Sequence, residues 1–156
     1  MNNSIVNVPT PVNEPIKNYK PNSPERESVL ATYKALKDST TDVKMWIGGK
    51  FIESSKTSSM SPPHDHKHIL GKYYLAEKKH VEMAIESALD AKEKWAGMRW
   101  EERAAIFLKA AELVAGPYRD RINAATMLAQ SKTIFQAEID AAVSYTHLTL
   151  PTILLV

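Results

Sequence analysis

From Glu77 to Ala142 the apolar residues of this chain recur in steps of three and four, and that periodicity constrains the fold more than any other feature. A turn of 3.6 residues puts such positions on one stripe, so each run reads as an amphipathic helix that needs a covering surface. The first run carries Val81, Ala84, Ile85, Ala88, Leu89 and Trp95 and breaks at Gly97. The second, over 101–115, carries Ala104, Phe107, Leu108, Ala111, Leu113 and Val114. It stops at Gly116-Pro117, because Gly tolerates a C-terminal cap and Pro cannot continue a hydrogen-bonded helix. The third, over 118–129, turns Ile122, Ala125 and Leu128 inward, and a fourth starts near Thr133 and is still in pattern at Ala141.

Upstream the pattern changes. Residues 1–22 hold Pro9, Pro11, Pro15 and Pro21 among few apolar groups, which predicts an extended arm. Ser23 is a good N-cap, Pro24 suits the first helical position and Glu25 favours the positive helix end, so a helix is expected over 24–37. Two β-prone runs, Val43–Ile47 and Lys50–Glu53, flank Gly48-Gly49 and predict a hairpin with a two-residue turn. A polar loop follows through Lys67, and residues 68–75 read as one further strand.

The chain has 156 residues, about one domain. Its net charge of +2 is too small to point to nucleic acid or a membrane surface, and no apolar run is long enough to span a bilayer. The N-terminus lacks both the apolar core of a signal peptide and the Arg-rich pattern of a transit peptide, so the cytoplasm is the expected compartment. There is no cysteine, which excludes disulfides, thiolate metal sites and a cysteine nucleophile within these residues.

Candidate chemistry is sparse. His64, His66 and His68 alternate and would share a face on a strand, but three imidazoles without an obvious fourth ligand fit a polar loop better than a metal centre. Glu138 and Asp140 are two residues apart on a helix, so they point some 200° apart and cannot converge on one substrate. Both then read as solvated, with one at most facing a pocket. Ser131-Lys132 are helical neighbours that do not face each other and read as a helix end. Arg99, Arg103, Arg119 and Arg121 form no basic stripe, and Trp95 and Trp100 read as core. The glycines at 48, 49, 71, 97 and 116 match neither the dinucleotide fingerprint nor the P-loop. From its residues alone, the chain carries no complete active site.

Several stretches together nevertheless have a family likeness: "NEPIKNYKPNSPER", "SPPHDHKHILGKYY", "WEERAAIFLKAAELVAGPYRDRINAATMLAQSK" and "QAEIDAA". Over Asn13–Ala142 they resemble the N-terminal part of the L-glutamate-γ-semialdehyde (Δ1-pyrroline-5-carboxylate) dehydrogenases of the aldehyde dehydrogenase superfamily. The resemblance implies an α/β fold: an extended arm, a helix, a β-hairpin, a further strand and several helices, incomplete as a domain. It implies that 23–142 are the N-terminal part of the NAD-binding domain. It also implies an NAD-dependent enzyme of proline breakdown that oxidises glutamate semialdehyde with a Cys nucleophile and a Glu that activates water. The family's Cys, that Glu and its nucleotide-contacting loop lie downstream of these residues. The chain itself is therefore expected to be inactive and not to bind NAD, and the parent to take a small aldehyde substrate and to be a homo-oligomer. The mitochondrial matrix is the alternative compartment if a transit peptide is missing. Glu138 matches a family Glu near the amino and carboxylate end of the substrate; its other reading is a solvated helical residue. A small helical interaction module without catalysis is the competing function.

The likeness ends at Val143. "VSYTHLTLPTILLV" resembles translated sequencing-adapter read-through, so 143–156 are expected to be a non-native tail. The competing reading is a β-strand with a Pro bend.

Overall fold

The arm leads directly into the first helix of a computed structural model that describes Thr10 and residues 12–149. Residues 12–20 carry neither helix nor strand. Residues 1–9 and 11 of the expected arm, and 150–156 of the expected tail, lie outside the described residues. Helix α1 spans Pro24–Lys37, as the capping residues require: the Ser23 hydroxyl accepts from the Arg26 N–H, and acidic and basic residues sit at opposite ends.

Five short strands follow: β1 (Thr41–Val43), β2 (Met45–Ile47), β3 (Lys50–Ile52), β4 (Thr57–Met60) and β5 (Gly71–Tyr74). Strands β2 and β3 form the expected hairpin, with Gly48 at φ 58° and Gly49 at φ 75° supplying the left-handed pair that a tight turn needs. Two strands depart from expectation. Val43 belongs to β1, which runs parallel to β5, and β4 arises from the stretch read as loop and pairs antiparallel with β5. Three- and four-residue strands with an exposed face leave too little alternation to be read. The close approach of β1 to β5 needs glycine: Gly71 has φ 146°, and a Cβ there would lie 1.9 Å from the Thr41 carbonyl oxygen.

Four helices complete the described chain: α2 (Lys78–Gly97), α3 (Trp100–Ala115), α4 (Arg119–Gln130) and α5 (Ile134–Thr149). Helices α1, α4, α5 and α3 pack in that spatial order. Their seam is made of small residues: Ala104 and Ala111 of α3, Ala124 of α4, and Ala137, Ala141 and Ala142 of α5, with Val29 and Leu128 filling the larger gaps. Short side chains let the axes approach closely. Helix α5 does not become a strand at Val143. It continues through Thr149, and the hydroxyls of Ser144, Thr146 and Thr149 each bond back to a carbonyl three or four residues earlier, which lets β-prone residues stay helical.

Candidate functional site

Helix α5 starts at a reciprocal cap. The Gln136 N–H donates to Thr133 Oγ1, and the Thr133 N–H donates to Gln136 Oε1. That start fixes the helical phase which turns Ala137, Ala141 and Glu138 into the molecule. Glu138 is 0% exposed, so the expectation of a solvated carboxylate is wrong for it. Sequence spacing gave no hint of burial, because acidic residues are almost never fully buried unless paired.

The pairing comes from α4 and from the arm. Arg119, 1% exposed, opens α4, and Asn123 lies one turn on, on the same face. Arg119 donates Nη2 to Glu138 Oε1 at 2.5 Å and Nε to Oε2 at 3.1 Å, a two-pronged pair. Asn123 Nδ2 donates to Oε2 at 2.8 Å. From the arm, the Lys17 N–H donates to Oε1 and the Tyr19 O–H to Oε2, each at 2.7 Å. The rest of the Arg119 guanidinium is taken up by the arm as well: Nη1 donates to Glu14 at 2.6 Å and Nη2 to the Pro15 carbonyl at 2.8 Å.

Five donors therefore meet the roughly four lone-pair sites of one carboxylate. Burial by itself would push the Glu138 carboxyl up, but the bonds from Arg119, the Lys17 N–H, Tyr19 and Asn123 outweigh it and hold the group at about 2. Burial and the neighbouring Glu138 carboxylate keep the Tyr19 phenol above its ordinary range, so it stays a donor. Arg119 is opposed by burial yet raised overall by its bonds to Glu138 and Glu14. The arrangement is a saturated electrostatic lock, and it offers a substrate no free acid, base or nucleophile.

The other candidates are dispersed. Asp140 points away from Glu138, as the spacing requires, and pairs with Lys132 at 2.5 Å. His64 Nδ1 lies 2.7 Å from Ser131 Oγ, while His68 Nε2 donates to the Lys37 carbonyl, so the histidines go to different partners. Among the described residues, no group of three or more His, Cys, Asp or Glu could hold a metal. Ser131 ends α4 in the left-handed conformation at φ 55°, a helix end as read. Trp95 packs edge-on against Phe107 but stays 40% exposed, so it is only partly core. An apolar cavity of about 220 Å³ between α1, α4 and the three-stranded sheet is lined by Leu36, Met60, Leu70 and Leu128, with Arg121 as its charged group.

A dinucleotide needs a strand–loop–helix junction whose helix N-terminus is open to phosphate. The β5–α2 junction, Leu75–Glu77, has no glycine, and Glu77 and His80 close the first turn of α2 with a reciprocal cap. The described residues do not fit NAD. Glu14, Tyr19, Arg119 and Asn123 escaped sequence reasoning; the four-residue spacing of Arg119 and Asn123 was the available signal, and it does not say what they face.

Residues 51–151 match the pattern of the aldehyde dehydrogenase family. A probable delta-1-pyrroline-5-carboxylate dehydrogenase of Schizosaccharomyces pombe is 43% identical over 135 residues, 86% of this chain and 25% of the relative. The human mitochondrial delta-1-pyrroline-5-carboxylate dehydrogenase is 38% identical over 130 residues, 83% of this chain and 23% of its own length. The crystal structure of the Mycobacterium tuberculosis delta-pyrroline-5-carboxylate dehydrogenase bound with NAD superposes with a TM-score of 0.87 at 42% identity, covering 90% of this chain and 26% of that one. The chain thus spans about a quarter of the length of the relatives it matches.

Proposed function

The chain belongs to the aldehyde dehydrogenase family, and we propose from this that it forms the N-terminal part of an NAD-dependent dehydrogenase that oxidises L-glutamate γ-semialdehyde to glutamate in proline degradation. The observation that carries the reading is the 42% identity and TM-score of 0.87 over 90% of the chain to one such dehydrogenase. In this proposal residues 23–142 belong to the NAD-binding domain, the substrate is a small aldehyde, and the whole enzyme is a homo-oligomer. Relatives named as mitochondrial support the matrix as its location, with the cytoplasm as the alternative.

The contribution of these residues is architectural. The 156 residues hold no cysteine, so the thiolate that attacks the aldehyde is not among them. The expectation that Glu138 meets the substrate's polar end finds no free lone pair to support it. We assign Glu138 a positioning role: it ties the arm and α4 to α5. The competing helical module would need a foreign partner to cover the exposed Val81, Ile85 and Leu89. Relatives about four times as long have room for that cover within one chain.

Residues 143–156 remain, in our reading, outside the native frame. Their likeness to adapter read-through supports this, while the family pattern continues to residue 151. Genomic sequence past codon 142 decides between the two.

The test of function uses the complete gene product. It should reduce NAD with Δ1-pyrroline-5-carboxylate far faster than with propanal. Absence of Δ1-pyrroline-5-carboxylate-dependent NADH formation by a folded product overturns the reading. Glu138→Gln should change activity toward both aldehydes in parallel; a selective rise in KM for the semialdehyde would restore the direct contact.

A further inference from the structure

Arg119 and Glu138 are a complete pair without the arm. The two Arg119 bonds and the Asn123 bond to the Glu138 carboxylate all come from α4, so none of them uses a group of residues 14–19. The arm then adds four groups: the Glu14 carboxylate, the Pro15 carbonyl, the Lys17 N–H and the Tyr19 O–H. Each meets a partner already held by a helix. The geometry points to a preformed peptide receptor on the α4–α5 face, and we propose that residues 14–19 occupy it as a detachable latch. The ligand it takes is a peptide without regular structure. That peptide presents a carboxylate, a carbonyl on the next residue, a main-chain N–H two residues on and a phenol two beyond that.

Three features favour detachment over the arm's bonds to Arg119 and Glu138. The arm belongs to no helix and joins no sheet, so its release breaks no hydrogen-bonded ladder. Tyr19 sits at φ 44° and Asn22 at φ 62°. An aromatic residue in the left-handed region is strained, and the strain lasts only while docking holds it there. The arm is incompletely packed against α5: Asn13, Glu14 and Ile16 line an apolar cavity of about 280 Å³ together with Ile139, Ala142 and Val143 of α5. Helix α1 has its own anchors, buried Val29 and a bond from Ser28 Oγ to Asp120, so the hinge falls at residues 20–23, and release of the arm also breaks the bond from Arg26 Nη1 of α1 to the Tyr19 carbonyl. Release leaves no orphaned charge, because Glu138 keeps Arg119 and Asn123. The inference holds whichever aldehyde the whole enzyme oxidises.

The test uses the full 156-residue chain and a fluorescein-labelled peptide copy of residues 12–21, read by fluorescence polarisation. In the wild type the arm competes in cis at an effective concentration on the order of millimolar, so labelled peptide should bind poorly. In the Glu14→Ala/Tyr19→Ala double variant, whose receptor is untouched, it should bind at least about tenfold more tightly. A peptide lacking the carboxylate and the phenol (Glu14→Gln, Tyr19→Phe) should bind that variant about a hundredfold more weakly, since each of the two lost charge-assisted bonds contributes a factor of roughly ten. Equal binding to both proteins, or equal binding of a scrambled peptide, overturns the proposal. If circular dichroism shows the double variant unfolded, wild-type hydrogen exchange decides: the Lys17 amide should exchange at least about tenfold faster than the core amides Ala137 and Ala141. Exchange at the same rate as those amides would mean that the arm leaves only with global unfolding, and there is no latch.

Discussion

Two helices of similar length meet opposite fates in this chain. Helix α5 buries a charged residue completely and leaves it fully hydrogen-bonded. Helix α2 has the clearer apolar stripe, yet Val81, Ile85 and Leu89 are 52%, 55% and 61% exposed, and its one buried residue among those described is His80. Its chief contact is with hairpin strand β2. Periodicity reports that a helix has a face to cover, not whether the cover is in the same chain. Conversely, a charge in the sequence looks solvated until the partners that justify its burial arrive, here from 19 and more than 100 residues away. The lock joins the arm, α4 and α5, whereas the α2 face is left uncovered among the described residues.

The sharpest way to break this contrast is to remove Arg119. Arg119→Ala leaves the buried Glu138 carboxylate without its counter-charge, which costs about 3–5 kcal/mol. That is a large part of the stability of a domain this size, roughly 5–15 kcal/mol. Urea unfolding at neutral pH measures it, and a loss below about 1 kcal/mol would mean that the lock is solvated after all.

Next in size is the acid dependence. Glu138 titrates at about 2 in the folded chain against an ordinary value of 4.5, so its contribution is complete above 4.5 and fades as pH falls toward 2. The shift corresponds to on the order of 3 kcal/mol. Stability of the wild type should fall over that window, and Glu138→Gln should be less stable at neutral pH but lose less on acidification. Parallel pH profiles for the two proteins would remove Glu138 from the account of acid unfolding.

Tyr19→Phe is the milder probe. The ring stays buried while the Glu138 bond is lost, so about 1–1.5 kcal/mol should go, seen as a lower urea midpoint with an unchanged slope.

How much of this was legible follows from where the information lies. Helix α1 could be read to the residue because its signals are local: Ser23, Pro24 and the charges of its first and last turns. The Gly48-Gly49 turn could be read for the same reason. Strands β1 and β4 could not, because each is three or four residues long and defined by what β5 offers, across 11 to 30 residues. The site was less legible still. Glu138 was singled out by family likeness, but its burial depends on Arg119, Asn123 and an arm whose composition reads as loose. The competing reading of a strand after Val143 fails over the described residues because side-chain hydroxyls can serve a helix as well as a sheet, and here they bond back along it.

The smallest expected effect tests the other half of the comparison. Ile85→Gln and Leu89→Gln change side chains that already face water, so in this chain each should alter stability by no more than about 0.5 kcal/mol. The same substitutions in the complete gene product should behave differently if the rest of the enzyme covers α2. A buried Leu or Ile contributes about 1.5–3 kcal/mol, and replacing it with an amide adds the cost of a polar group without a partner. Thermal unfolding of the two proteins side by side gives the answer. A small effect in the 156 residues with a large one in the full product would show that the uncovered face of α2 belongs to an interior completed elsewhere. A large effect in both would mean that α2 is already packed in this chain, and the contrast with the Arg119–Glu138 lock would disappear.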